Sequence, residues 1–286
     1  MANLPNTSHE DTVGTTGHEW DGIRELNNPL PKWWLYVFYA TVLFSVVWAV
    51  LYPSVPGLRS YFGGTLGYSQ RDAVALSLQQ AADSQAVYRT KIRDAAVEQV
   101  KADPELYQFS VSGGRVVFAE NCAGCHQSGG IGTKGYPSLA DDDWLWGGTL
   151  ADIERTLRFG IRSGHEEARV SQMPRFLADG ILKQKEIEAV ADYVVALSEQ
   201  KPGNPQAAAI YKDNCAVCHG DAGKGNRELG APNLTDKIWI YGGDRNTLVH
   251  TIAQSRNGVM PAWSGRLDDA TIKMLAVYVH SLGGGE

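Results

Sequence analysis

Positive charge is the first thing this sequence has little of: 26 lysines and arginines stand against 32 acids in 286 residues, a net charge of −6. Nucleic-acid binding depends on clustered cations that neutralise phosphates, so the balance argues for no nucleic-acid partner. Long apolar runs are equally scarce. There is one, which excludes a many-pass membrane protein. Cysteine numbers four, too few to staple a chain of this size, so the positions of the cysteines matter more than their number. Disorder throughout is excluded by what is present: 43% of residues are hydrophobic, and the length allows about two domains of ~150 residues, each able to bury a core.

The single apolar run is Trp33 to Tyr52 (WWLYVFYATVLFSVVWAVLY). As a helix it rises about 1.5 Å per residue and so reaches roughly 30 Å, one hydrocarbon thickness. Trp33, Trp34 and Tyr36 at one end and Trp48 and Tyr52 at the other suit the two headgroup belts, and Pro53 and Pro56 stop the helix. A cleaved signal peptide would have a basic start and a short apolar stretch ending in small residues; here an acidic leader precedes bulky aromatics. The segment is therefore read as one transmembrane anchor over 33–52, preceded by a polar tail over 1–32 with no apolar period. Flanking basic residues do not orient it, since Arg24 and Lys32 on one side balance Arg59 and Arg71 on the other. Residues 53–104 follow, and their 70–102 portion, rich in Ala, Gln, Arg and Lys without Gly or Pro, predicts a helical spacer.

Beyond this the chain repeats. Val117-Phe118-Ala119-Glu120-Asn121-Cys122-Ala123-Gly124-Cys125-His126 matches Ile210-Tyr211-Lys212-Asp213-Asn214-Cys215-Ala216-Val217-Cys218-His219. Pro137-Ser138-Leu139 matches Pro232-Asn233-Leu234, Trp144 to Gly148 matches Trp239 to Gly243, and Met173-Pro174 matches Met260-Pro261. Each copy closes on a helix of apolar period, with Ile187, Val190, Ala191 and Val194 in one and Ile272, Leu275, Ala276 and Val279 in the other. Lys201-Pro202-Gly203-Asn204-Pro205 links the copies. The prediction is two tandem all-α domains of one fold, over 105–200 and 203–286.

All four cysteines fall in the two Cys-x-x-Cys-His runs. Thiols about one helical turn apart can each add to one vinyl group of a haem, and the next residue, His, is then held beneath the iron. Cys122, Cys125, Cys215 and Cys218 are thus candidates for covalent attachment of two c-type haems, and His126 and His219 for iron ligands. A zinc site spaces its Cys pairs by roughly 15–20 residues, and a thioredoxin-like pair needs neither the His nor a second copy. Ordinary disulfides leave the repeated His unexplained.

The sixth ligand decides the chemistry. Met1 is the initiator and Met274 lies among apolar neighbours in a helix, whereas Met173 and Met260 precede prolines at matching points. That leaves one candidate per iron, with Met173 expected in the first repeat and Met260 in the second; a core Met filling a gap is the plainer alternative. His165 rivals Met173 but belongs to an insertion, His165 to Arg169, better read as a solvated loop. Met/His ligation leaves no vacant position and raises the reduction potential, which suits electron carriage. The carbonyls of Pro137 and Pro232 are expected to accept from the imidazoles. Arg162 and Arg256, at comparable points before each Met, are candidates for pairing a propionate or are simply solvent-facing.

With the tail, anchor and two haem motifs in place, the run His18-Glu19-Trp20-Asp21-Gly22-Ile23-Arg24-Glu25-Leu26-Asn27-Asn28-Pro29-Leu30-Pro31 before Trp33-Trp34 makes the whole chain resemble the dihaem FixP subunit of cbb3-type haem-copper cytochrome c oxidases. The resemblance implies an N-terminal transmembrane helix followed by two cytochrome c domains. It also implies electron entry from a donor cytochrome c and transfer to a monohaem cytochrome subunit and the catalytic haem-copper subunit. No catalytic site is expected on this chain itself. Covalent haem attachment in bacteria takes place outside the cytoplasmic membrane, so the repeats are expected in the periplasm, anchored to the inner membrane, with the tail in the cytoplasm. A dihaem peroxidase or the cytochrome subunit of a membrane dehydrogenase is the alternative. Residues 105–200 hold 14 acids and 9 bases and residues 203–286 hold 8 of each, so the Asp141-Asp142-Asp143 region is a candidate for steering a basic donor.

Overall fold

Asp-Gly flanked by extended residues is a strong signal for a two-residue hairpin, because both central positions of a type I′ turn need positive φ. The computed structural model, which describes residues 13–285, places such a hairpin inside the stretch read as tail. β1 (Thr15–Trp20) pairs antiparallel with β2 (Ile23–Leu26), with Asp21 and Gly22 both at positive φ. An exposed Arg24–Glu19 ion pair spans it at 3.0 Å. Residues 1–12 of that tail lie outside the described residues.

The chain divides between Ala82 and Asp83 into two units. In the first, α1 (Lys32–Leu51) carries no ionised side chain beyond its first residue and buries none of its residues. Apolar all round and exposed all round, it is long and apolar enough to cross a membrane. After Pro53 the chain turns back: Thr65 N–H and Leu66 N–H donate to the carbonyls of Val50 and Leu51 at 2.9 and 3.1 Å. These bonds satisfy two carbonyls that the helix end would otherwise leave open. α2 (Gln70–Asp94) begins in this unit and ends in the next.

The second unit contains the rest of the helices: α3 (Val97–Ala102), α4 (Pro104–Asn121), α5 (Ala123–His126), α6 (Leu150–Phe159), α7 (Gln184–Ser198), α8 (Pro205–Asn214), α9 (Ala216–His219), α10 (Arg245–Gln254) and α11 (Asp269–His280). Their starts are written in the sequence. Asp103, Thr149, Asn204, Asp244 and Asp268 each accept from backbone N–H groups of the first turn, and Pro104 and Pro205 occupy first helical positions. The end of the predicted spacer belongs to this unit's core: Ile92, Val97 and Val100 are buried, and Tyr88 stacks on Phe109 with centroids 4.8 Å apart. Its apolar residues cluster on one helical face, so that portion packs instead of merely bridging.

Two apolar cores result, and neither follows the boundaries of the repeats. The first joins α3, α4 and α6 to α11, from the end of the second repeat. The second joins α8 and α10 to α7, from the end of the first. The closing helices have changed places. Connection length supplies one reason: only residues 199–204 separate α7 from α8, and consecutive helices on so short a link pack as neighbours. A second reason is shape. Gly113 and Gly114 of α4 form a recess against α11, where a Cβ on Gly114 would stand 2.5 Å from the Met274 carbonyl and 2.6 Å from Tyr278 Cβ. The matching position in α8 is Ala207, which is buried. Thus α11, carrying buried Met274, fits the glycine recess of α4.

Candidate haem centres

Both Cys-x-x-Cys-His runs are built the same way. α4 ends at Cys122 and α8 at Cys215; the chain bends there and resumes as the single turns α5 and α9, each finishing on its histidine. Cys122 and Cys215 are buried whereas Cys125 is exposed and Cys218 intermediate, and no disulfide joins any of them. Burial pushes the Cys122 and Cys215 thiols up to about 11, each also raised by its neighbouring cysteine. A thiol-disulfide enzyme requires the reverse, a thiol acidified toward neutrality. Among the described residues no three of His, Cys, Asp and Glu converge as a zinc site needs.

The histidines are oriented by backbone. His126 Nδ1 lies 3.0 Å from the Pro137 carbonyl and His219 Nδ1 2.9 Å from the Pro232 carbonyl. A carbonyl only accepts, so Nδ1 carries the hydrogen in both rings and Nε2 presents its lone pair. Burial lowers both imidazole pKa values, opposed by the carbonyl bond, and so favours the neutral ring that a metal requires.

The methionines fall across the repeats. Met173 lines a cavity of about 490 Å³ together with Cys215, Cys218 and His219, and its carbonyl accepts from Ser255 Oγ at 2.7 Å. Met260 packs against the core containing Cys122 and Ala123, and forms an antiparallel bridge with Ile161, N–H to carbonyl 3.0 Å in each direction. Each methionine had been expected to serve the histidine of its own repeat; the structure instead places Met173 in one cavity with His219, and Met260 against the core that holds Cys122. The closing helices carry their methionine loops with them, which accounts for the exchange.

His165 lies beside Phe159, ring centroids 4.9 Å apart, and its Nδ1 accepts from the Glu167 N–H at 3.1 Å. The arginine pairing also changes. Arg256 lies over the Tyr241 ring at 5.2 Å, and its counterpart is Arg169, over Trp146 at the same distance. Each stands four residues before its methionine, an Arg-x-x-x-Met-Pro spacing that could have revealed Arg169 in the sequence. Arg169 Nη2 pairs with Asp152 at 3.1 Å while its buried Nε has no protein partner. Arg162 belongs to the true insertion, residues 161–168, between the matching helix ends Gly160 and Ser255, both at positive φ. In the acidic run, Asp142 alone of the three is exposed. Burial raises the Asp143 pKa, as do Asp236 and Asp141.

Comparison with known proteins closes the identification. Residues 12–59 match the model described as the N-terminal domain of cytochrome oxidase-cbb3, FixP, residues 111–198 the cytochrome c model, and residues 204–279 the model for cytochrome c oxidase, cbb3-type, subunit III. The cbb3-type cytochrome c oxidase subunit FixP of Azorhizobium caulinodans is 50% identical, covering 98% of this chain and 100% of that protein. The chain belongs to the FixP/CcoP family. FixP of Bradyrhizobium diazoefficiens is 51% identical over 95% of both proteins, and the subunit CcoP of Cereibacter sphaeroides 46% identical over the full length of both. The family's cytochrome c domains imply covalently bound haem c, and the donor set fits it: paired thiols one turn apart, a neutral histidine held through Nδ1, and, in the second centre, a mainly apolar cavity that Met173 lines.

Proposed function

We propose that this chain is a membrane-anchored dihaem cytochrome c that accepts electrons from a donor cytochrome and relays them into a cbb3-type oxidase, through its monohaem cytochrome subunit to its catalytic haem-copper subunit. What supports the reading is the doubled Cys-x-x-Cys-His with a carbonyl-fixed imidazole in each copy, Met173 lining one cavity with His219, and Met260 packed on the core that holds Cys122. Cys122, Cys125, His126 and Met260 hold one haem; Cys215, Cys218, His219 and Met173 hold the other. When bound, each haem supplies a one-electron iron couple. The chain's own residues do the rest. Nδ1–H bonds to Pro137 and Pro232 keep each ring aimed and strengthen it as a donor, while Val190, Val194, Leu234 and Ile252 line the second centre with apolar surface. Arg169 and Arg256 are the guanidiniums assigned to propionates. A peroxidase needs an open distal position, and a methionine in each distal loop opposes that alternative.

Export supports a periplasmic location for both centres, since thiols must meet haem outside the cytoplasm; α1 then crosses the inner membrane with the hairpin on the cytoplasmic side. The test is direct. The full-length chain should hold two haems per polypeptide through denaturation, with a methionine-to-iron charge-transfer band from both oxidised irons. A colourless denatured band, or a high-spin spectrum, overturns the assignment.

A further inference from the structure

Arg162 has no counterpart in the second repeat, and its side chain joins two loops that the repeat pattern keeps apart. Its Nε donates to the Gly258 carbonyl at 2.7 Å and its Nη1 to the Ser171 carbonyl at 2.7 Å. Those carbonyls stand two residues before Met260 and two before Met173. The insertion's backbone reinforces the link: Ile161 bridges Met260 on one side and Arg169 on the other, and Arg162 N–H donates to the Arg169 carbonyl at 2.7 Å. Arg162 reaches this position at φ 50°, a backbone region that a non-glycine residue occupies only when its surroundings hold it there.

We infer that Arg162 is a positioning residue that braces both methionine loops at once, so that the distal ligation of the two haems is secured, and lost, together. A guanidinium suits this task because its planar fork sends separate N–H groups to separate acceptors, and bonds from a charged donor are among the stronger ones. The inference rests on the His/Met assignment made above. It goes further by tying two metal centres to a single side chain that contacts neither sulfur in any recorded bond.

The test uses the full-length chain in detergent and reads carbon monoxide binding to the reduced protein and the methionine-to-iron band of the oxidised protein. In Arg162→Gln the fraction of iron open to carbon monoxide should rise about tenfold at both haems, equivalent to about 1.4 kcal/mol, with both contributions to the band weakening together. Arg155→Gln, which removes an exposed charge from α6, should change neither. If Arg162→Gln opens one haem and spares the other, or opens none, the brace is refuted. If the unmodified chain already binds carbon monoxide at both irons and lacks the band, it is the ligand assignment that fails. Should Arg162→Gln not accumulate with both haems, Arg162→Lys replaces it: an ammonium lacks the planar fork, so simultaneous but smaller opening is expected, and unmodified behaviour at both irons refutes the brace.

Discussion

Met260→Leu separates the exchanged arrangement from the one that repeat symmetry suggests. Leucine conserves volume, and such swaps cost less than about 1.5 kcal/mol, small against the ~5–15 kcal/mol that holds a domain folded. The fold should survive, and the lesion should be spectroscopic: with one of two irons left without its methionine, the methionine-to-iron band should fall by about half. Pairing this change with each histidine in turn then identifies the affected iron. Met260 packs with the Cys122 core, so Met260→Leu with His126→Gly strikes one iron twice and should still leave about half the band. Met260→Leu with His219→Gly strikes both irons and should abolish it. Spectra of oxidised full-length variants in detergent decide the matter. The reverse pattern, the band surviving only with His219→Gly, would refute the exchange.

Packing predictions follow the same geometry. Gly114→Ala places a methyl into the backbone of α11 and should cost ~1–3 kcal/mol; thermal melts should show the methionine ligation at the Cys122 centre lost first, although half of the contact lies in the second repeat. Leu275→Ala, at a fully buried site, should cost ~2–5 kcal/mol in the same core, as seen in denaturant midpoints. Gly160 sits at φ 72° against the Met260 backbone, so Gly160→Ala should destabilise the chain by upward of ~1 kcal/mol and weaken the methionine band. Asp268 caps α11; burial, which alone would raise its pKa, is outweighed by bonds from Thr271 and the charge of Arg89, leaving the pKa lowered. Its contribution is therefore present above the ordinary carboxyl pKa of about 4 and fades as pH falls through the lower folded value. Asp268→Asn keeps a capping oxygen but loses the charge that faces Arg89 and the start of α11, and should cost about 0.3–1 kcal/mol at neutral pH, with the difference from the parent chain shrinking in melts below about pH 4.

The elements themselves were legible because each is specified locally. The anchor announces itself by length, the caps Asp103, Asn204 and Asp268 sit where helices begin, and the doubled cysteine motif needs no partner to be recognised. The hairpin was equally local, and Asp21-Gly22 was its sign. What the sequence concealed was which copy meets which. The apolar faces of α7 and α11 have the same period, so periodicity fits either to α4; a short connection and a recess at Gly113-Gly114 break the tie, and both act only in three dimensions. Arg169 was hidden for a related reason. Residues 161–168 blur the alignment, making Arg162 look like the mate of Arg256 until their side chains are seen to do different things.

The pairing of α4 with α11 also sets a timetable for biogenesis. Contacts between segments so distant in the chain are slow to form, and a polypeptide made from its N-terminus delivers α4 long before α11. The earlier cysteine pair therefore waits, uncovered, until the last helix has been made, while the later pair follows its companion α7 directly. A chain cut short between the repeats would lose the lid of its first centre rather than yield a finished half.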